Sequence, residues 1–215
     1  MVRTEPDPDP ARKRLSRADR EQQVLRVARE QFARRGFAAV TMEDIALEVG
    51  VKKPLLYAYF GNKDRLYEAC MSPAGDALIE AIAAAVARAR TPAEALRRGV
   101  IAFYDFVDQD RDAWRVLFDE TVPQSGEIAA AVSRYRDRLL EMLAQAMVAL
   151  MPPHRRTGSR ATIEASSVML MSAAEGLARW WLRTGAMPAR DAAELLIATV
   201  EPGLARTTNQ EEHVR

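Results

Sequence analysis

Between Thr41 and Leu66 the chain carries helix start and stop signals so closely spaced that only short helices fit between them. Thr41 is a good N-cap, and Asp44 three residues on can reach back to it as in a capping box. Met42, Ile45, Ala46 and Val49 then fall at i, i+3, i+4 and i+7, one apolar helix face. Gly50 follows at once and can take the positive φ that ends a helix, with Val51 plugging the gap beyond it. Pro54 suits a first helical turn, and Leu56 and Phe60, four apart, share an inward face. Lys53 and Tyr57 are also four apart, on a different face, with Tyr59 flanking it. The pattern predicts two short helices joined by a glycine turn, then a third helix capped by Asn62.

The outer face of the second short helix is cationic and aromatic. Lys52 and Lys53 stand at its N-terminal end, where free backbone N–H groups and the helix dipole already favour anions. Such a face suits phosphate oxygens and base edges, and the layout is that of a helix-turn-helix entering a DNA groove. The competing reading is a solvated surface turn with ordinary lysines and half-buried tyrosines.

At these residues the sequence resembles the TetR family of bacterial transcriptional regulators. The resemblance rests on Gly36-Phe37, Thr41, Ile45-Ala46, Val49-Gly50-Val51, Leu56-Tyr57-Ala58-Tyr59-Phe60 and Asn62-Lys63-Asp64-Arg65-Leu66. Ala28 and Phe32 of the preceding helix belong to the same pattern, which covers roughly residues 17 to 71. The resemblance implies that Thr41 holds a phosphate and that Lys53, Pro54 and Leu55 face the major groove. It also implies that Tyr57 and Tyr59 touch backbone phosphate or sugar, and that Lys63 clamps a further phosphate. Two positions depart from the family's habit. Lys52 stands where a small polar residue is common, and Leu55 where Thr, Ser or another small residue is common. Leu55 cannot hydrogen-bond a base; it touches a thymine methyl or reads nothing.

The chain has 215 residues, and 48% of them are hydrophobic, so a folded body with its own core is expected behind this head. A formal net charge of +1 argues against a protein that coats DNA along its length. The charge is uneven: residues 1–70 hold fourteen Lys and Arg against eleven Asp and Glu, the excess lying on the side of the motif. Cys70 is the only cysteine, which precludes an intrachain disulfide and fits a reducing cytosol. It is either a redox sensor or, four residues after Leu66, simply buried. No segment reads as an uninterrupted membrane span, and the N-terminus carries charge and prolines instead of a signal-peptide core; a cytoplasmic protein is expected.

The domain reading is a disordered basic and Pro-rich arm over 1–15, a helix-turn-helix domain over 16–71, a helical regulatory and dimerisation domain over 76–205, and a flexible tail over 206–215. In the arm, Arg12, Lys13 and Arg14, with Arg17, either reach into a minor groove or remain solvated. Ser16 with Asp19 starts the first helix, which ends near Gly36. Ser72-Pro73-Ala74-Gly75 predicts a break before a second, alanine-rich helix over 76–90. Thr91-Pro92-Ala93-Glu94 starts another helix, and Asp110 caps a short one. Long helices follow over about 127–150 and 160–183, separated by a linker from Met151 to Ser159, and a last helix spans about 189–204. No strand alternation is present, so the fold class is all-α.

One reading helix touches few base pairs, so a homodimer on double-stranded DNA is expected, its heads about 34–36 Å or more apart. In the last two helices Ala165, Ser172, Ala173 and Gly176 are small, and Leu195 and Leu196 are apolar; together they predict a four-helix dimer interface, or else packing within one chain. In relatives the body encloses a small-molecule pocket. Phe103, Phe106, Trp114, Phe118, Met142, Met169 and Glu175 are the candidate contacts for a small apolar or amphipathic effector, with plain core as the alternative for each apolar one. Glu175 is either such a polar handle or an ion-pair partner of Arg179 one turn on.

Together these readings predict a ligand-responsive repressor that binds a palindromic operator as a homodimer. An enzyme is the weaker rival. The two histidines, His154 and His213, lie in the linker and the tail, and no metal-ligand spacing, cofactor motif or phosphate loop is present. A DNA-binding regulator answering to a protein partner, or to no ligand, remains the other alternative.

Overall fold

The computed structural model describes residues 16–150 and 160–209. Every regular element among the described residues is helical: α1 (Arg17–Ala39), α2 (Met42–Val49), α3 (Lys53–Phe60), α4 (Lys63–Val86), α5 (Pro92–Gln109), α6 (Arg111–Leu117), α7 (Glu127–Leu150), α8 (Arg160–Thr184) and α9 (Ala189–Asn209). The arm over 1–15, the linker over 151–159 and residues 210–215 lie outside the described residues, as do the readings made of them.

Local chemistry sets the head. Ser16 Oγ accepts the Asp19 amide at 3.1 Å and starts α1, whose buried stripe includes Val24, Val27, Ala28 and Phe32. At Gly36 the backbone leaves the helical region with φ 76° and ψ 163°, a combination open essentially to glycine. That bend tucks Phe37 against Phe32 and Tyr67, whose ring centroids lie 6.2 Å and 5.1 Å away. The capping box at Thr41 and Asp44 is complete. Gly50 takes the left-handed conformation, and the next amide, of Val51, donates to the Ala46 carbonyl at 2.9 Å. Met42, Ile45, Ala46 and Val49 are buried, as are Leu56 and Phe60 of α3.

The break expected at Ser72–Gly75 does not occur: α4 runs unbroken from Lys63 to Val86 with Pro73 inside it. Pro73 has no amide to give the carbonyl four residues back, yet Leu66, Tyr67, Cys70, Met71, Ala74, Leu78 and Ile82 form one continuous buried stripe, and that burial outweighs the missing bond. Gly75 serves a different purpose from a turn. A Cβ there would sit 2.4 Å from the Tyr135 ring of α7, so its bareness lets α7 close onto α4, and Tyr135 Oη donates to the Ser72 carbonyl at 3.1 Å. By length and composition α4 is also apolar enough to cross a membrane, contrary to the reading that no segment was; its apolar stripe is packed against α1, α5 and α7. At the far end, α9 continues through Pro202 to Asn209, past the point where a tail was expected.

The helices pack as a small head, α1 to the start of α4, on a larger body. Helix α5 lies between α4 and α9, α8 packs on α7 and α9, and α6 wedges against both α1 and α4. One hydrophobic core runs from Val24 through α4 to Ile197.

Gly36 meets two constraints at once: its positive φ, and a Cβ that would fall 2.6 Å from Thr121 Oγ1. Gly36→Ala is expected to lower folding stability by roughly 1–3 kcal/mol from backbone strain alone, seen as a lower melting temperature. Cys70 is buried, its Sγ lying 3.7 Å from the Leu25 carbonyl, and burial pushes the thiol up to about 12. It is expected to resist iodoacetamide at pH 8 in the native protein and to react at once in denaturant; fast native alkylation would restore the redox-sensor reading.

Candidate nucleic-acid interface and effector cavity

The residues expected to meet DNA lie on α3 and at the starts of α2 and α4. Lys52, Lys53, Pro54 and Tyr57 are exposed, and Leu55 and Tyr59 are half-buried. Lys52 occupies the N-cap position of α3 with no side-chain cap bond. Lys53 Nζ lies 3.6 Å from Glu43 Oε2, both chains exposed, a weak pair that a phosphate could displace. Tyr59 packs edge-on against Phe60, under the Arg17 guanidinium, which is 5.4 Å from its ring centre. Thr41 Oγ1 is occupied in the cap, accepting the Asp44 amide at 3.1 Å and donating to Asp44 Oδ2 at 2.9 Å. The Thr41 amide, first among its causes, holds the Asp44 carboxyl below the usual range. Lys63 is half-buried, its ammonium 4.2 Å from the Phe37 ring centre; burial pulls its pKa down, against the pull of Asp64, Asp119 and Asp44.

A polar clasp, absent from the sequence reading, joins head to body. Asp119 Oδ2 accepts the Phe37 amide at 2.6 Å, and Thr121 Oγ1 accepts the Ala38 amide at 3.2 Å. Tyr67 Oη donates to the Val116 carbonyl at 2.6 Å. Asp119 Oδ1 in turn receives the Thr121 amide and hydroxyl at 2.8 Å and 2.7 Å. Arg29 of α1 pairs with Asp110 at 2.9 Å. No local spacing marks Asp119 for this role, because the amide it serves lies 82 positions away.

Behind the clasp lies a cavity of about 330 Å³ between α4, α5, α7, α8 and α9. Leu96, Gly99, Val100 and Phe103 give one wall; Leu139, Leu143 and Met147 a second; Leu170, Met171, Ala174 and Glu175 a third. Of the expected contacts, Phe103, Phe118 and Glu175 are on the wall. Phe106, Trp114, Met142 and Met169 are not. Trp114 is buried behind Phe118, at 5.5 Å between ring centres, while Phe106 and Met142 are half-buried core. Met169 is 60% exposed, because the cavity stripe of α8 begins at Leu170 and one residue rotates about 100° around a helix. Glu175 does not pair with Arg179. It binds Arg136 of α7 at 2.8 Å, and Arg179 pairs with Glu120. Burial pushes the Glu175 carboxyl up, with Arg136 pulling the other way.

On the outer side of α8 and α9 sit Ala165, Ser172 and Gly176, exposed, and Ala173, half-buried, together with exposed Val168, Met169, Trp180 and Leu195. Leu196 departs from the expectation. It is 4% exposed and belongs to the chain's own core, one residue around the helix from Leu195.

Residues 24–70 match the model of bacterial regulatory proteins of the tetR family, and residues 92–201 match the tetracyclin repressor-like C-terminal domain. A TetR-like transcriptional regulator from Rhodococcus sp. RHA1 is 34% identical, with 89% of this chain and 99% of that one aligned at a TM-score of 0.71. A tetR-family transcriptional regulator from Streptomyces coelicolor is 26% identical, over 92% of this chain and 86% of that one, at a TM-score of 0.68. The HTH-type transcriptional activator FasR of Mycolicibacterium smegmatis is 35% identical over 119 residues, 55% of this chain and 54% of that protein. The chain spans about half the length of the curated relatives it matches. Regulators of this type bind DNA and act as dimers. With both its parts matched and a near full-length relative in the Rhodococcus protein, the chain belongs to the TetR family of DNA-binding transcriptional regulators.

Proposed function

We propose that the protein is a ligand-responsive repressor that binds a palindromic operator as a homodimer. Residues 16–71 act as the reading head and 76–205 as the regulatory and dimerising body. Thr41, Lys52, Lys53, Pro54, Leu55, Tyr57, Tyr59 and Lys63 form the DNA face, and the cavity receives the effector. The exposed apolar face of α8 and α9 forms the dimer contact, a surface a monomer has no use for.

One observation carries this reading. Phe118 is cavity wall, and the next residue, Asp119, holds the backbone of the head at Phe37. Helix α4 makes a second connection, with Leu66 and Tyr67 in the head core and Ile82 and Val86 on the cavity wall. A ligand that moves Phe118 or the far end of α4 therefore moves the head. The effect on operator affinity is bounded by the ligand's preference for one body shape over the other. A cavity of this size favours a small-molecule signal over control by a protein partner.

Selection from a random duplex library at near-physiological salt is expected to enrich an inverted repeat. Lys53→Ala with Tyr57→Ala is expected to abolish that enrichment with the fold intact, and Lys53→Ala alone to reduce the salt slope of dimer binding by about 2, one contact from each protomer. Enrichment that survives the double substitution would move the DNA face elsewhere. Reporter output from a promoter carrying the site should rise when the protein is deleted; a fall would make it an activator, as the FasR relative is named.

The clasp gives a separate expectation. Asp119→Ala should leave the protein folded, speed amide exchange at Phe37 and Ala38 by about tenfold or more, and alter operator affinity. Unchanged exchange and affinity would remove the 116–121 segment from the coupling path.

A further inference from the structure

Glu175 is an anomaly in its surroundings. It is only 7% exposed and stands on a wall otherwise made of Leu170, Met171, Ala174, Phe103 and Phe118. One carboxylate oxygen, Oε2, is bound by Arg136. The other, Oε1, is buried and has no hydrogen-bond partner among the described residues. A buried acceptor left unpaired costs about 1–3 kcal/mol, and more when charged, so a leucine here would give a steadier core.

The cavity has direction. Its rim, at Thr91, Pro92 and Ala93, is exposed, whereas Phe103, Phe118 and Glu175 are buried. Pro92 and Phe103 are eleven residues apart on α5, so the wall extends about 16 Å along that helix. That length suits a hydrocarbon chain, with Glu175 the polar group at the buried end and Glu201, half-buried, the other carboxylate on the lining.

We propose that the effector is a single-chain apolar molecule carrying an uncharged hydrogen-bond donor of the hydroxyl class, received by Glu175 Oε1. Arg136 already balances the Glu175 charge, so a neutral donor completes the set, whereas an ammonium at that end would add a second positive charge beside Arg136. A carboxylate or ether oxygen would face the unpaired oxygen with another acceptor and leave it unsatisfied. This inference rests on reading the cavity as the effector site.

The test titrates the full-length protein with 1-undecanol, its isomer decyl methyl ether, and undecylamine, following tryptophan fluorescence; Trp114 packs against the cavity residue Phe118. The alcohol is expected to bind about tenfold or more tightly than the ether, the worth of one hydrogen bond to a charged acceptor. Glu175→Met should bring the two affinities together, and Glu175→Gln should narrow the gap. Arg136 is half-exposed and can be solvated in either variant. The wild-type comparison stands on its own should neither variant fold. Equal binding of alcohol and ether would overturn the role of Glu175 while keeping the cavity as a ligand site. So would an alcohol preference that survives Glu175→Met in a folded protein. Tighter binding of the amine would overturn the uncharged donor. Binding of none of the three would overturn both this inference and the cavity's role.

Discussion

The hydrogen bond between the Phe37 amide and the Asp119 carboxylate governs the arrangement of the molecule. The amide lies just past Gly36, where α1 has left its helical path and the backbone can no longer satisfy itself. An anion accepting an N–H is directional and stronger than a neutral pair. Packing of α1 on α6 sets a distance between head and body, and this bond sets an orientation. Thr121 completes the fit by filling the space a side chain at residue 36 would need. Phe37 then closes an aromatic group with Phe32 and Tyr67, and Tyr67 returns to the body through the Val116 carbonyl.

The body is organised differently. Its interior contacts are mostly apolar and non-directional, which leaves room for a cavity between the helices. Its ion pairs Arg134–Glu68 and Arg97–Glu194 lie at the surface, Arg136–Glu175 reaches inward to the cavity wall, and Tyr104 Oη donates to the Ala174 carbonyl in the interior. A head oriented by directional bonds is thus joined to a body with internal space.

Local signals made most of the head legible in the sequence. Thr41, Gly50 and Asn62 act through bonds to residues within four positions, and Pro54 through its own fixed φ, so their effects are written beside them. The starts of α5 and α6 were legible for the same reason. The continuity of α4 was not, because Pro73 and Gly75 carry local break signals and the burial that overrides them comes from α1, α5 and α7. The cavity was half legible. Aromatic and Met content marked the right helices, but wall and outer face differ by one residue, as Leu170 and Met169 or Leu196 and Leu195 show. The Arg136 partner of Glu175 was hidden by a separation of 39 positions, which no helical spacing encodes.

Pro73 gives α4 a mechanical character that an unbroken helix would lack. A helix resists bending through its ladder of backbone bonds, and one rung is absent where proline cannot donate. Stiffness is therefore lowest between Leu66 and Tyr67 on one side and Ile82 on the other. A load at the cavity end would bend α4 at that joint before it deformed the aromatic cluster beyond it. In the proposed response the head would then swing as a unit, the reading helix keeping its shape and changing only its position.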